Sequence, residues 1–322
     1  MQQRVQFSAV IPSYNRATLV GRAIKSALGQ EHAPEEIIVV DDGSTDETQR
    51  VVASFGAKVR YLYQSNSGVS AARNTGARQA KYEWIAFLDS DDYWSSRHLK
   101  QIAEAINGTR GEAALYFADV AMGWEQGRTY WDQCGFSVNG EWELKRDASD
   151  WAMMRVQPIM TPASAVSRTT FLELGGLSEQ IRTREDTLLF FKLAFLYPVC
   201  AVSGVGTVVN GDDTIRLTQV YDSRSLVYCS ASIFLYRELL ATLTTIGHER
   251  RQYLKDCLSA AFFSMGRVLL SRGKYFHAVA GLARSWRTSP PVFARELFGS
   301  AVRRATEGDY AAVADTSRTA GS

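Results

Sequence analysis

Three carboxylates crowd into four residues at Asp89-Ser90-Asp91-Asp92, directly after the apolar run Trp84 to Leu88. Carboxylates that close repel one another unless water or a cation offsets their charge. The apolar run reads as a buried strand, and in an open α/β sheet ligands bind outside the carboxyl ends of the strands. Oxygen donors there suit a hard divalent cation, which in turn holds substrate phosphates. A second reading stays open: Asp91 or Asp92 is the N-cap of the helix expected over His98 to Ile106.

Other side chains suit related chemistry, each with a plainer alternative. Tyr14 follows the apolar run Phe7 to Ile11 and can stack on a flat ring. Asp42, after Ile37 to Val40, can accept an N–H from a nucleobase. Before Gly43 it is equally a turn residue, although Asp41 and Asp42 are not both explained so easily. Arg73 can meet a base or a phosphate, or lie exposed on a helix as most arginines do. Glu185-Asp186 opens the apolar run Thr187 to Leu196. A partly buried carboxylate there can take the proton of an attacking hydroxyl. The same pair is also a helix cap, and the helix dipole would lower its pKa.

The elements that position these residues alternate. Strands are expected at Phe7–Ile11, Ile37–Val40, Val59–Tyr63 and Trp84–Leu88, with helical spacing from Leu19 to Leu28 and Val69 to Ala80 between them. Ser44 and Glu47 carry a capping-box pattern for the helix after the second strand. This rhythm predicts a mostly parallel sheet covered on both faces, with right-handed crossovers that bring Tyr14, Asp42 and Asp89 to one edge. Further strands are expected at Ala113–Phe117, Ala163–Val166 and Val205–Val209, and a buried helix at Thr187–Leu196. Aromatic residues between Trp124 and Trp151 suit a sugar-stacking platform or simple core packing. Beyond Tyr221 the pattern is helical to about Arg304, with a break at Pro290-Pro291.

The net charge of +2 on 322 residues gives no global field for nucleic acid. The charge is uneven, however. Gly247 to Arg304 holds eleven basic and three acidic residues, a balance of +8 against −6 for the rest. Such a segment suits an anionic membrane surface, or a helix packed on the catalytic domain with a solvated basic face. The four cysteines form no C-x-x-C pair, which points to buried thiols in a reducing, cytoplasmic setting. The first residues lack a signal-peptide core. No run reaches the roughly 20 apolar residues that span a bilayer.

Four blocks occur in order: Pro12-Ser13-Tyr14-Asn15-Arg16, Val40-Asp41-Asp42-Gly43-Ser44-Thr45-Asp46, Asn66-Ser67-Gly68-Val69-Ser70-Ala71-Ala72-Arg73-Asn74-Thr75-Gly76 and Asp89-Ser90-Asp91-Asp92. Phe171-Leu172-Glu173-Leu174-Gly175-Gly176-Leu177 and Arg184-Glu185-Asp186 follow. Over residues 5 to about 215 the set resembles the family 2 glycosyltransferases. The resemblance implies an α/β, GT-A type fold, a mostly parallel, Rossmann-like sheet flanked by helices, to which the helical pattern beyond Tyr221 adds a C-terminal helical extension. It divides that part into a nucleotide-sugar-binding half (1–110) and an acceptor-binding half (111–220); the helical, basic pattern beyond marks a helical extension (221–304), and the small, polar residues after it a disordered tail (305–322).

It further implies inverting transfer from a nucleotide diphosphate sugar, by default a UDP-sugar, to a hydroxyl of a saccharide or lipid-linked saccharide, assisted by Mn²⁺ or Mg²⁺. Pro12, Tyr14, Asp42, Arg73, Asp89 and Ser90 match donor-site positions. Asp91, with Asp89 nearby, matches the metal position. Asp186 matches the general base, with Glu185 beside it toward the acceptor. The chain departs from the family pattern twice. No histidine stands in Asn210-Gly211-Asp212-Asp213-Thr214, so Asp212 or Asp213 substitutes as a metal ligand or the metal rests on Asp91 and diphosphate. Thr187 stands where tryptophan is frequent. A peripheral place at the inner face of a membrane, through 247–304, is the expected location beside a plainly cytoplasmic one. Two other functions compete. A non-catalytic nucleotide-sugar-binding protein would share the donor residues. A sugar-phosphate nucleotidyltransferase needs a glycine-rich loop after the first strand, where this chain has Pro12-Ser13-Tyr14-Asn15. No G-x-G-x-x-G follows that strand, which disfavours a dinucleotide oxidoreductase.

Overall fold

Four strands open the chain, and all but the third, a partly exposed edge strand, are buried and read as apolar runs. They are β1 (Phe7–Ser13), β2 (Glu36–Asp41), β3 (Arg60–Tyr63) and β4 (Trp84–Phe87), parallel in the order β3-β2-β1-β4. The computed structural model describes residues 4–123, 127–210 and 225–299. The expectations on Trp124, Asp212, Asp213 and the tail 305–322 fall outside these. Between the strands run α1 (Val20–Leu28), α2 (Thr48–Ala53) and α3 (Val69–Gln79). Helix α1 buries Val20, Ala23, Ile24 and Ala27, one stripe at helical spacing. The stripe on α3 is polar: Ser70, Arg73 and Asn74 are buried along with its alanines. Gly76 lets α3 sit close to the sheet, because a methyl group there would collide with Val10 Cγ1.

The expected capping box does not form. Helix α2 starts at Thr48, and the Ser44 hydroxyl instead accepts a hydrogen bond from Asn15 N (2.8 Å). The Asp46 carboxylate takes over at the helix start, accepting from Thr48 N at 3.0 Å.

Past β4 the sheet is mixed. The elements are β5 (Tyr93–Trp94), α4 (His98–Gly108), β6 (Leu115–Met122), α5 (Tyr130–Cys134), β7 (Trp142–Lys145), α6 (Ser149–Ala152), β8 (Ser164–Ser167), α7 (Arg168–Glu173), α8 (Glu185–Leu196) and β9 (Val199–Val209). The strand order continues β4-β8-β6-β9-β5, with β7 also on β9. Strand β8 is antiparallel to both its neighbours, and β9 is parallel to β6. Strand β9 is longer than the expected Val205–Val209, because the polar, exposed Ser203-Gly204 interrupts its apolar run without ending the strand. The register of β6 on β9 shifts on either side of Asp119. The two halves expected to meet near residue 110 share this one sheet.

The chain divides into two compact units, Met1–Ile215 and Arg216–Ser322. The sheet belongs to the first. The second contains α9 (Leu226–Thr242), α10 (His248–Ser271) and α11 (Tyr275–Thr288), and a further helical stretch at 290–299. Among the described residues no helix is long and apolar enough to cross a membrane.

Candidate active site

The ends of β1 and β2 are laced together. Asn15 adopts a left-handed backbone (φ 52°), and its side-chain oxygen accepts from Thr45 N at 2.8 Å. Arg16 N donates to Thr48 Oγ1 at 3.0 Å, and Ala17 N to Asp46 at 3.0 Å. Held by this turn, Tyr14 stands 49% exposed. Pro12 lies inside β1, buried and in register with Val40, so it shapes the strand end and turns no surface outward.

Asp41 and Asp42 divide the work that the sequence left ambiguous. Asp41 is the turn former: it accepts from Ser44 N (2.8 Å) and from the Tyr61 hydroxyl (2.7 Å). The buried Asp42 carboxylate gathers the loop before α3, accepting from Gln64 Nε2 (2.7 Å), Ser67 N (2.9 Å) and Gly68 N (2.8 Å).

The crowded carboxylates after β4 point to three separate partners. Asp89 receives Arg73 Nη2 at 2.5 Å. Asp91 lies 3.9 Å from Arg16 Nη2, and its backbone carbonyl accepts from Arg22 at 2.8 Å. Asp92 is buried and accepts from Asn210 N at 3.1 Å, anchoring the end of β9. Helix α4 starts only at His98, with Arg97 preceding it, so neither Asp91 nor Asp92 is its cap. Ser90 is buried between them.

Arg73 joins two distant parts of the chain. It is buried, not exposed on a helix surface. Besides Asp89 it reaches Glu185 at 3.5 Å, so α3 links the end of β4 to the start of α8. Its neighbour Asn74 clasps the Gly175-Gly176-Leu177 turn. Asn74 Oδ1 accepts from Leu177 N (2.9 Å), and Nδ2 donates to Leu177 O (2.8 Å) and to Glu179 (2.9 Å). Gly176 has φ +71°, and a side chain there would run into Asn74 Oδ1.

Glu185 and Asp186 form the first turn of α8, where Arg184 precedes them in a left-handed conformation. Their environments differ. Glu185 is buried, and that burial pushes its carboxyl up to about 7; the Asp186 charge adds to the rise and Arg73 opposes it. Asp186 is half-exposed and accepts from Thr187 N at 2.6 Å. The half-buried Tyr130 phenol is raised by burial, with Cys134 and the Asp186 charge contributing. Asp119, at the shift in β6, accepts from Trp131 N (3.0 Å) and so fixes α5. Trp131 and Trp151 are buried and pack edge-to-face with Phe117 and Phe136, which makes them core and not a sugar platform.

Two arginines belong to this constellation beyond the residues expected. Arg16 carried a signal, since it ends the Pro12 block. Arg22 carried none, because only the packing of α1 against the loop after β4 brings it to Asp91. Among the described residues no three His, Cys, Asp or Glu side chains gather into a metal-binding cluster.

Residues 8–145 match the family model of glycosyl transferase family 2. An uncharacterized glycosyltransferase of Nostoc sp. is 35% identical over 123 residues, 37% of this chain and 38% of the relative. One from Rickettsia conorii is 35% identical over 201 residues, 60% of this chain and 32% of the relative. The matched stretches thus span about a third of these relatives' length. Residues 1–349 of S. aureus TarS, in a crystal structure with UDP-GlcNAc, superimpose with a TM-score of 0.61 at 18% identity, covering 92% of each chain. The two chains share a fold.

Proposed function

We propose, from the premise that the chain belongs to glycosyl transferase family 2 through residues 8–145, that it moves a sugar from a nucleoside diphosphate donor to a hydroxyl acceptor with inversion. The observation that carries this reading is Arg73 bridging Asp89 and Glu185. It ties the strand-end carboxylates to the carboxylate pair of α8, which is what a transfer between two bound substrates needs.

In this reading Tyr14 stacks on the nucleobase. An ionised carboxylate has about four acceptor positions, and three of Asp42's are used by the loop before α3, which leaves one for a ring N–H. Uridine is the default base, supported by the UDP-GlcNAc bound to TarS. Arg73 and Ser90 face the donor's phosphates and sugar. Asp91 fits a Mg²⁺ or Mn²⁺ ion of the kind held by one or two carboxylates plus substrate phosphates. Asp89 fits less well, since Arg73 already occupies it. Such an ion, when bound, acts as a Lewis acid on the diphosphate.

Asp186 takes the acceptor proton as the acceptor oxygen bonds to the anomeric carbon. The bond from that carbon to the diphosphate breaks, and its electron pair leaves with the nucleotide. Glu185, with Arg73, positions its neighbour and borders the acceptor. A saccharide or lipid-linked saccharide is the proposed acceptor class.

The hydrogen bond from Thr187 N to Asp186 also suits a plain helix start, and with it a binding protein that catalyses nothing. The two readings separate in one experiment. Thermal shifts with UDP, GDP, dTDP and CMP, with and without Mn²⁺, are expected to single out one diphosphate. Asp186→Asn should keep that shift and lose turnover of the matching nucleotide sugar, on the order of a hundredfold or more. Unchanged turnover would remove Asp186 as the base, and no shift with any nucleotide would remove the donor site.

A further inference from the structure

Helix α11 has its polarity reversed. Its buried residues are Ala278, Gly281 and Ser285. They meet α10 through equally small partners: Gly281 lies against Gly266, and Ser285 Oγ is 3.0 Å from Ser259 Oγ. Leu282 joins them against Gly266, but the other large apolar side chains face away from α10. Tyr275 is 67%, Phe276 84%, Val279 64% and Trp286 52% exposed. Tyr275, Val279, Ala283 and Trp286 recur every three or four residues, so with Phe276 they form one stripe along the helix. A helix of a globular protein normally buries such a stripe, and a contiguous exposed one marks an interaction site.

The surroundings of the stripe are basic. Arg284 and Arg287 border it, and Arg272 and Lys274 stand at the start of the helix, all four exposed. A cavity of about 720 Å³ opens beside it among α9, α10 and α11, with Phe234, Phe262, Met265, Leu269 and Phe276 in its walls. Aromatic rings on one face with cations at the edge are the composition of helices that lie in a lipid–water boundary. There the rings sit among the headgroups, and the cations meet lipid phosphates. The same charges disfavour a second copy of this chain, because a two-fold interface on this face would bring like cations together.

We propose that α11 is a lipid-surface helix: Tyr275, Phe276, Val279 and Trp286 enter the headgroup boundary of an anionic bilayer, while Arg272, Lys274, Arg284 and Arg287 engage its acidic lipids. The recess beside the stripe gives the lipid chains apolar surface to meet. Donor binding in the sheet unit is a separate property, and lipid attachment stands or falls without it.

The test is co-sedimentation of the full chain with vesicles of phosphatidylcholine alone and of phosphatidylcholine with phosphatidylglycerol. Binding is expected only to the anionic vesicles and should weaken as salt rises. The double substitution Phe276→Ser with Trp286→Ser should reduce it on the order of tenfold or more, with an unchanged circular dichroism spectrum. Lipids brominated in their chains should quench tryptophan fluorescence of the wild type, and Trp286→Phe should remove most of that quenching while keeping the helix. Absence of vesicle binding by the wild type, or full binding by the double variant, would overturn the proposal. So would a dimer in solution that the double substitution dissolves, since the stripe would then be covered by a second copy.

Discussion

His98 and Glu185 are both buried, and folding shifts their protonation in opposite directions. The His98 ring lies tilted against Trp94 in a site where neither ring nitrogen finds a hydrogen-bond partner. Burial there holds its pKa at about 3, against 6.5 for the free side chain. Between those values the unfolded chain binds a proton that the folded chain does not, so stability rises with pH. Glu185, moved from 4.5 to about 7, does the reverse: the folded chain keeps a proton that the unfolded one releases, and stability falls as pH rises through that window. The two slopes oppose each other from about 4.5 to 6.5. Melting temperature in the wild type should therefore change little across that range. His98→Leu should leave the falling slope alone, and Glu185→Gln the rising one. A His98→Leu profile parallel to the wild type would show that His98 does not titrate in this way. Neither behaviour is legible in the sequence. His98 was expected only as a helix residue, and its isolation depends on Gly206 of β9, where any side chain would strike the ring. Asp89, Asp91, Glu185 and Asp186 were legible as candidates because carboxylates massed at an element's end stand out in a string of letters. The division of Asp89, Asp91 and Asp92 among Arg73, Arg16 and Asn210 is a matter of tertiary contact.

At the scale of elements, α3 does the most to set the site, since Arg73 and Asn74 on consecutive positions hold two different segments. Its depth on the sheet depends on Gly76 over Val10 and Val40. Gly76→Ala should lift the helix, at a cost of about 1–3 kcal/mol for overpacking. It should also weaken nucleoside diphosphate binding by drawing Arg73 from Asp89. Urea unfolding and a thermal shift with UDP test both parts, and wild-type values in the two would show that the seat is not tight. Strands β1, β2 and β4 were legible because parallel strands covered on both faces read as apolar runs, and the partly exposed edge strand β3 because Val59, Tyr61 and Tyr63 favour strand. The two residues of β5 and the half-buried Trp142–Lys145 of β7 left no such trace. They exist because β9 offers them an edge. The start of β9 was hidden for a related reason, since Ser203-Gly204 looks like a turn until β6 is seen to shift register beside it.

All nine strands of the described residues, and every charged group of the candidate site, lie within the unit Met1–Ile215. A fragment ending at Ile215 is therefore expected to show the same nucleotide-dependent thermal shift as the full chain, and to lose any binding to anionic vesicles. Loss of the nucleotide shift from a fragment that still melts cooperatively would mean that the helical unit takes part in donor binding. The order of strands also bears on how the chain is made. Strand β4 has β1 on one side, but its other neighbour, β8, begins 77 residues after β4 ends, at Ser164 against Phe87. At roughly 5–20 residues per second of synthesis, that edge stays open for roughly 4–15 s on every ribosome. An unpaired apolar edge is a template for a strand from another chain. Neighbouring ribosomes on one message carry chains of the same sequence at staggered lengths, and those within the interval expose the same edge, so slow translation between codons 88 and 163 should favour aggregation of the newborn protein, and a chaperone covering β4 in that interval should relieve it.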